Sequence, residues 1–158
     1  MAGLVNDVGP IAFESVSNVT ATNSVRVGTR MSRGDEDYIY VYNTGASDIP
    51  VGHAAVCSAV TGYSVTVSAV TGTDFAVGVC KHAVISASCY GWLVTKGFTS
   101  VEMAISDSCV AGEPLRLALS GTFALASNTT LTAVGPVIGK SMEAMASGAS
   151  GQAYISVY

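Results

Sequence analysis

A short β pattern is written twice in this chain, and no other feature of the sequence limits the fold as much. The first copy runs Ile49-Pro50-Val51-Gly52-His53-Ala54-Ala55-Val56, turns at Thr61-Gly62, and closes on Phe75-Ala76-Val77-Gly78-Val79. The second runs Cys109-Val110-Ala111-Gly112-Glu113-Pro114-Leu115-Arg116-Leu117, turns at Ser120-Gly121, and closes on Pro136-Val137-Ile138-Gly139-Lys140. Each copy is an apolar approach, a Gly turn, a strand, a second Gly turn, a variable stretch and a closing strand. Repeated units of this size bury their apolar faces against one another. The pattern therefore describes a scaffold, with an internal duplication whose halves span about 49–80 and 109–143.

The rest of the chain supports an all-β reading. Tyr38-Ile39-Tyr40-Val41-Tyr42 is a β-branched and aromatic run, ended by Asn43-Thr44-Gly45. Further strand-like runs lie at Ala54 to Ala59, Ser64 to Val70, Phe75 to Val84, Gly91 to Thr95, Ser100 to Ile105, Pro114 to Leu119, Phe123 to Ala126, Val134 to Lys140 and Ala153 to Tyr158. Gly-containing turns separate them, among them Lys96-Gly97. Many short strands at this spacing predict a compact β-barrel or β-sandwich of antiparallel strands. No long helix is expected. Residues 1–33 read as an extended N-terminal arm with one or two β segments, such as Ser24 to Thr29, ahead of a β-domain over 34–158. Ile11 and Phe13 in that arm would be wasted in solvent, so the arm is expected to wrap its own domain or reach a neighbouring subunit.

Composition narrows the function. Only 11% of the 158 residues are charged, against roughly 25% in an ordinary soluble domain. Ser, Thr, Gly and Ala take the place of charge. Two readings stand: an exterior that ends against other protein, or a neutral Ser/Thr surface. Seven Lys and Arg in a chain of net charge −4 argue against nucleic acid, which needs a clustered basic face. The one cluster, Arg26, Arg30 and Arg33, is followed by Asp35-Glu36-Asp37. No apolar run reaches the ~18 residues of a membrane span, and the first residues lack the basic start and apolar run of a signal peptide. Cys57, Cys80, Cys89 and Cys109 form no C-x-x-C pair, so buried thiols are expected, with a Cys80–Cys89 disulfide as the alternative.

Catalytic motifs are not found. His, Asp and Glu are scarce, and acid–base chemistry draws mainly on those groups. His53 and His82 read as packing or hydrogen-bonding residues; a thiol hydrolase would need one of them beside Cys57 or Cys89. No cofactor or metal site is expected. Tyr38, Tyr40 and Tyr42 share one strand face and serve as core packing or as an interface stripe, because Tyr combines large contact area with a polar tip. Trp92 plugs the core between the repeats or anchors an interface. The candidate interface residues are thus Ile11, Phe13, Tyr38, Tyr40, Tyr42 and Trp92.

Four segments resemble a known class of protein: Gly72-Thr73-Asp74-Phe75-Ala76-Val77-Gly78-Val79, Ala87 to Gly97 with Tyr90-Gly91-Trp92, Val110 to Leu115, and Val137 to Ala144. Together they are similar to head decoration, or cement, proteins of tailed bacteriophages, over roughly residues 70–158. The resemblance implies an all-β homo-oligomer, most often a trimer. It would be made in the host cytoplasm and bound to the major capsid protein on the outer surface of the virion. It brings no catalytic residues. The other reading is a different virion β protein: a fibre, a tail component or a receptor-binding knob.

Overall fold

A computed structural model describes residues 15–57, 63–67, 75–127 and 136–157. The described strands are β1 (Arg30–Arg33), β2 (Glu36–Asn43), β3 (Ala54–Cys57), β4 (Ser64–Val65), β5 (Phe75–Cys80), β6 (Tyr90–Glu102), β7 (Pro114–Leu117), β8 (Phe123–Leu125), β9 (Val137–Ser141) and β10 (Ser150–Ser156). All ten join one sheet, and the main path runs β1-β2-β6-β10-β9-β7-β8, with β3 and β5 branching from β6. Pairing is antiparallel except where β4 lies parallel to β2. The fold is all-β, as expected. The Thr61-Gly62 turn and Val70 fall outside the described residues.

Two expectations change. Lys96-Gly97 is not a turn. Residues 90–102 form one strand of 13 residues, and Gly97 absorbs the irregularity with φ +128. A Cβ there would stand 2.8 Å from the Glu36 side chain, so glycine is needed for space as well as for conformation. The pairing of β2 with β6 shifts register beside it, between Asp37 and Tyr38. The arm's strand also starts later than Ser24. Thr29 N–H bonds Arg26 O and Gly28 takes φ +89, so a turn occupies 26–29 and β1 begins at Arg30.

One hydrogen-bond plan occurs twice, displaced by 60 residues from Ile49 to Cys109 and from Tyr38 to Phe98. Ile49 and Ile85 exchange backbone bonds, as do Cys109 and Met145. Gly52 donates to Cys80 O while Cys80 donates to His53 O; Gly112 and Ser141, with Glu113, repeat this. Gly52 and Gly112 have φ +87 and +90. A bulge at Val77 in β5 shifts the register after Ala55, and one at Ile138 in β9 shifts it after Leu115. Asn43 pairs in parallel with Val65, and Met103 with Phe123. The correspondence extends to flanking strands: Tyr38↔Val94 across β2 and β6 matches Phe98↔Tyr154 across β6 and β10. The shared plan thus covers 36–95 and 96–156, wider than the copies visible in the sequence. The first half of β6 closes one unit and its second half opens the next.

Burial follows this plan. One core holds Ile39, Val41, Ile49, Val65, Ile85 and Leu93, all from the first unit. The larger core joins the opposite face of that unit (Tyr38, Tyr40, Val79, Trp92, Val94) to residues of the second, including Val101, Leu117, Phe123 and Ile155. Val16 and Val25 of the arm are buried in it. The first unit's sheet is therefore covered on both faces.

Trp92 is 3% exposed in the larger core, 5.0 Å from the Tyr40 ring. Its indole N–H is buried with no partner among the described residues. Truncating a buried Trp to Ala costs roughly 3–5 kcal/mol. Trp92→Ala should lose that much in equilibrium denaturation, and Trp92→Phe much less, because no hydrogen bond is forfeited. Equal losses would show that the indole N–H is bonded.

Candidate interaction surface

The residues named from sequence as an interface do not face outward together. Tyr38, Tyr40 and Trp92 are buried in the chain's own core. The reason is the second unit and the arm, which cover the face these side chains share. Ser24 Oγ lies 3.1 Å from the Tyr40 hydroxyl, and Thr20 bridges Tyr90. Tyr42 is half-buried and packs against Tyr90 at 4.6 Å. Ile11 and Phe13 lie outside the described residues.

The corresponding face of the second unit, which the register shift in β6 turns to the other side of the sheet, is open among the described residues. In the first unit, register aligns Met31, Tyr38, Val94, Val79 and Ala54 in a row across five strands, and the last four are buried. The equivalent row in the second unit is Phe98, Tyr154, Lys140 and Pro114. Residues directly opposite in an antiparallel ladder stand on one face. Phe98 is 49% exposed and meets Tyr154 edge-on at 5.2 Å. Gln152 and Ser100 take the positions of Trp92 and Tyr40. Val137, beside Arg116, is 58% exposed.

Two cations lie on this face, and Asp37 stands opposite one of them, Lys96. Lys96 and Lys140 are exposed, and neither makes an ion pair among the described residues. Glu102, at the end of the face, is engaged by His53 at 3.1 Å. An aromatic pair flanked by cations and amide or hydroxyl groups, on a rigid sheet, is equipped to hold another polypeptide: large apolar contact at low ordering cost, with charge to set orientation. Repeat arithmetic was the signal that locates it, since Phe98 stands where Tyr38 stands one unit earlier. The copies visible in the sequence begin only at 49 and 109, so Phe98 lies outside them.

Two polar networks brace the sheet around this face. His53 Nδ1 lies 2.8 Å from Ser120 O and Nε2 faces Glu102, which ties the first unit to the second. In the other, Lys81 Nζ donates to Glu36 and to Phe98 O, the Tyr38 hydroxyl donates to Glu36, and His82 Nε2 lies 2.9 Å from that hydroxyl. The histidines are thus held by Glu102, Ser120 and Tyr38. No disulfide joins Cys80 and Cys89. Burial pushes the Cys80 thiol up to about 11. Among the described residues no group of three His, Cys, Asp or Glu could hold a metal ion.

No family model and no curated protein matches the chain. Among solved structures, the N base of the head fibre gp8.5 of bacteriophage phi29 is similar with a TM-score of 0.49 and 12% identity, over 75% of this chain and 94% of that one. That likeness is too slight to assign a role.

The Glu36 network makes stability depend on pH. Burial works to raise the Glu36 carboxyl, but hydrogen bonds from Lys81 and Tyr38 and the Lys81 charge hold it below its ordinary 4.5. Burial, then the Lys81 charge, hold His82 below 6.5. Groups depressed on folding stabilise above their unfolded values, and that contribution is lost as pH falls through the folded values. Denaturant midpoints should therefore fall as pH drops below 6.5, and further below 4.5. Glu36→Gln should flatten the lower part of the curve; an unchanged curve would mean that the network is not formed.

Proposed function

We propose that the chain is a structural protein of a tailed-bacteriophage particle, a decoration or cement protein. It binds the outer surface of the head through the major capsid protein and stabilises the shell by contacts between subunits. The open face of the second unit carries this reading: a braced sheet that presents Phe98, Tyr154 and two cations where the preceding unit is covered. The charge-poor composition fits a protein whose exterior meets other subunits. The sequence resemblance over residues 70–158 directs it to phage heads. In this reading the chain works by binding rather than by catalysis, and uses no cofactor.

Decoration stabilises by mass action. A ligand present at a hundred times its dissociation constant favours the state it binds by about 2.7 kcal/mol per site. Purified protein added to undecorated heads of the phage that encodes it should co-sediment with them saturably and raise their disruption temperature. Absence of binding would overturn the reading, and binding to cells or glycans instead would favour a fibre, tail or receptor-binding role.

A further inference from the structure

The open face has a covered counterpart in the same chain, and what covers the counterpart is instructive. In the first unit the cover includes the chain's own residues ahead of β1, with Val16 and Val25 buried in the core that contains Tyr38, Tyr40, Trp92 and Val94. Among the described residues the second unit repeats the sheet without repeating the cover. A turn-rich segment that seats single valines on such a face is therefore a packing mode that this protein already uses.

Residues 1–14 carry Leu4, Val5, Val8, Ile11 and Phe13, together with Asp7 and Glu14, and contain no Lys or Arg. The open face carries an aromatic pair and two exposed lysines that make no ion pair among the described residues, with Asp37 opposite Lys96. The two complement each other in both apolar character and charge. Fourteen residues reach about 45 Å when extended, enough to leave one subunit for another.

A neighbour's segment can approach this face directly, whereas the chain's own would have to double back along the sheet. Thr20 bridges Tyr90, at the start of β6. From there the chain runs along the sheet to Arg33, opposite Glu36, and the next residue of β2, Asp37, pairs with Lys96. Phe98 lies beyond Lys96, roughly 27 Å along β6 from Tyr90 at the rise of a strand. The chain ahead of Thr20 thus joins at the end of the sheet away from Phe98.

We propose that the Phe98–Tyr154 face of the second unit receives residues 1–14 of a second copy of this chain, with Ile11 and Phe13 against the aromatic pair and Asp7 and Glu14 toward Lys96 and Lys140. The proposal deepens the reading of the chain as a subunit-binding protein. A chain that binds heads only as a monomer sinks this inference alone; one that self-associates but binds no head sinks only the other.

Three full-length proteins test it in sedimentation equilibrium: the wild type, Phe98→Ser, and the double variant Ile11→Ser/Phe13→Ser. The wild type should self-associate. Each variant should associate at least about tenfold more weakly, equivalent to about 1.4 kcal/mol. Mixing the variants should recover part of the association, because one supplies an intact segment and the other an intact face. A monomeric wild type, a segment variant that associates like the wild type, or a mixture no more associated than its parts would each overturn the proposal. Phe98 is half-exposed, so Phe98→Ser should keep a cooperative melt; if it does not, Lys140→Glu, an exposed change on the same face, takes its place.

Discussion

Strand β6 bonds β2 and β5 through its first half and β10 through its second, and it passes from one set of partners to the other around Gly97. Every other arrangement follows from that passage. Because one strand serves both units, the second sheet grows out of the first without a linker. The large core that contains Trp92 then draws side chains from both. The first unit also keeps a smaller core of its own, and the shared strand lets both units contribute to the larger one.

The two units share a backbone plan but not a surface. At matched positions Val94 becomes Tyr154, Val79 becomes Lys140, and Tyr40 and Trp92 become Ser100 and Gln152. Selection for folding alone would tolerate either set where the face is open to water. Phe98 and Tyr154 are the exceptions: large aromatic area left where polar residues would serve. A partner that covered this pair would remove that apolar area from water.

Much of the fold is legible in the sequence, because strand periodicity and Gly turns are local signals. The tyrosine strand shows its two faces correctly: Tyr38 and Tyr40 enter one core, Ile39 and Val41 the other. What escapes is whatever depends on contacts distant in sequence. Lys96-Gly97 reads as a turn because a glycine after a strand-like run is a local signature shared by turns and bulges; only the pairing of β2 and β10 on either side shows that the strand continues. Tyr38, Tyr40 and Trp92 look equally suited to a core or an interface until the arm and the second unit are seen to cover them. The full repeat is hidden for a similar reason. Its flanking strands share only Val41 with Val101 and Gly91 with Gly151, so backbone pairing preserves a likeness that the side chains no longer carry.

The most direct measurement of this arrangement is native-state hydrogen exchange along β6, resolved residue by residue. If β6 is a spine common to both units, the amides of Leu93, Val94, Thr99 and Val101 should be protected to the same free energy, close to that of global unfolding. Exchange of Thr99 and Val101 at a distinctly lower free energy than Leu93 and Val94 would contradict it, since the second unit would then open while the first stayed folded.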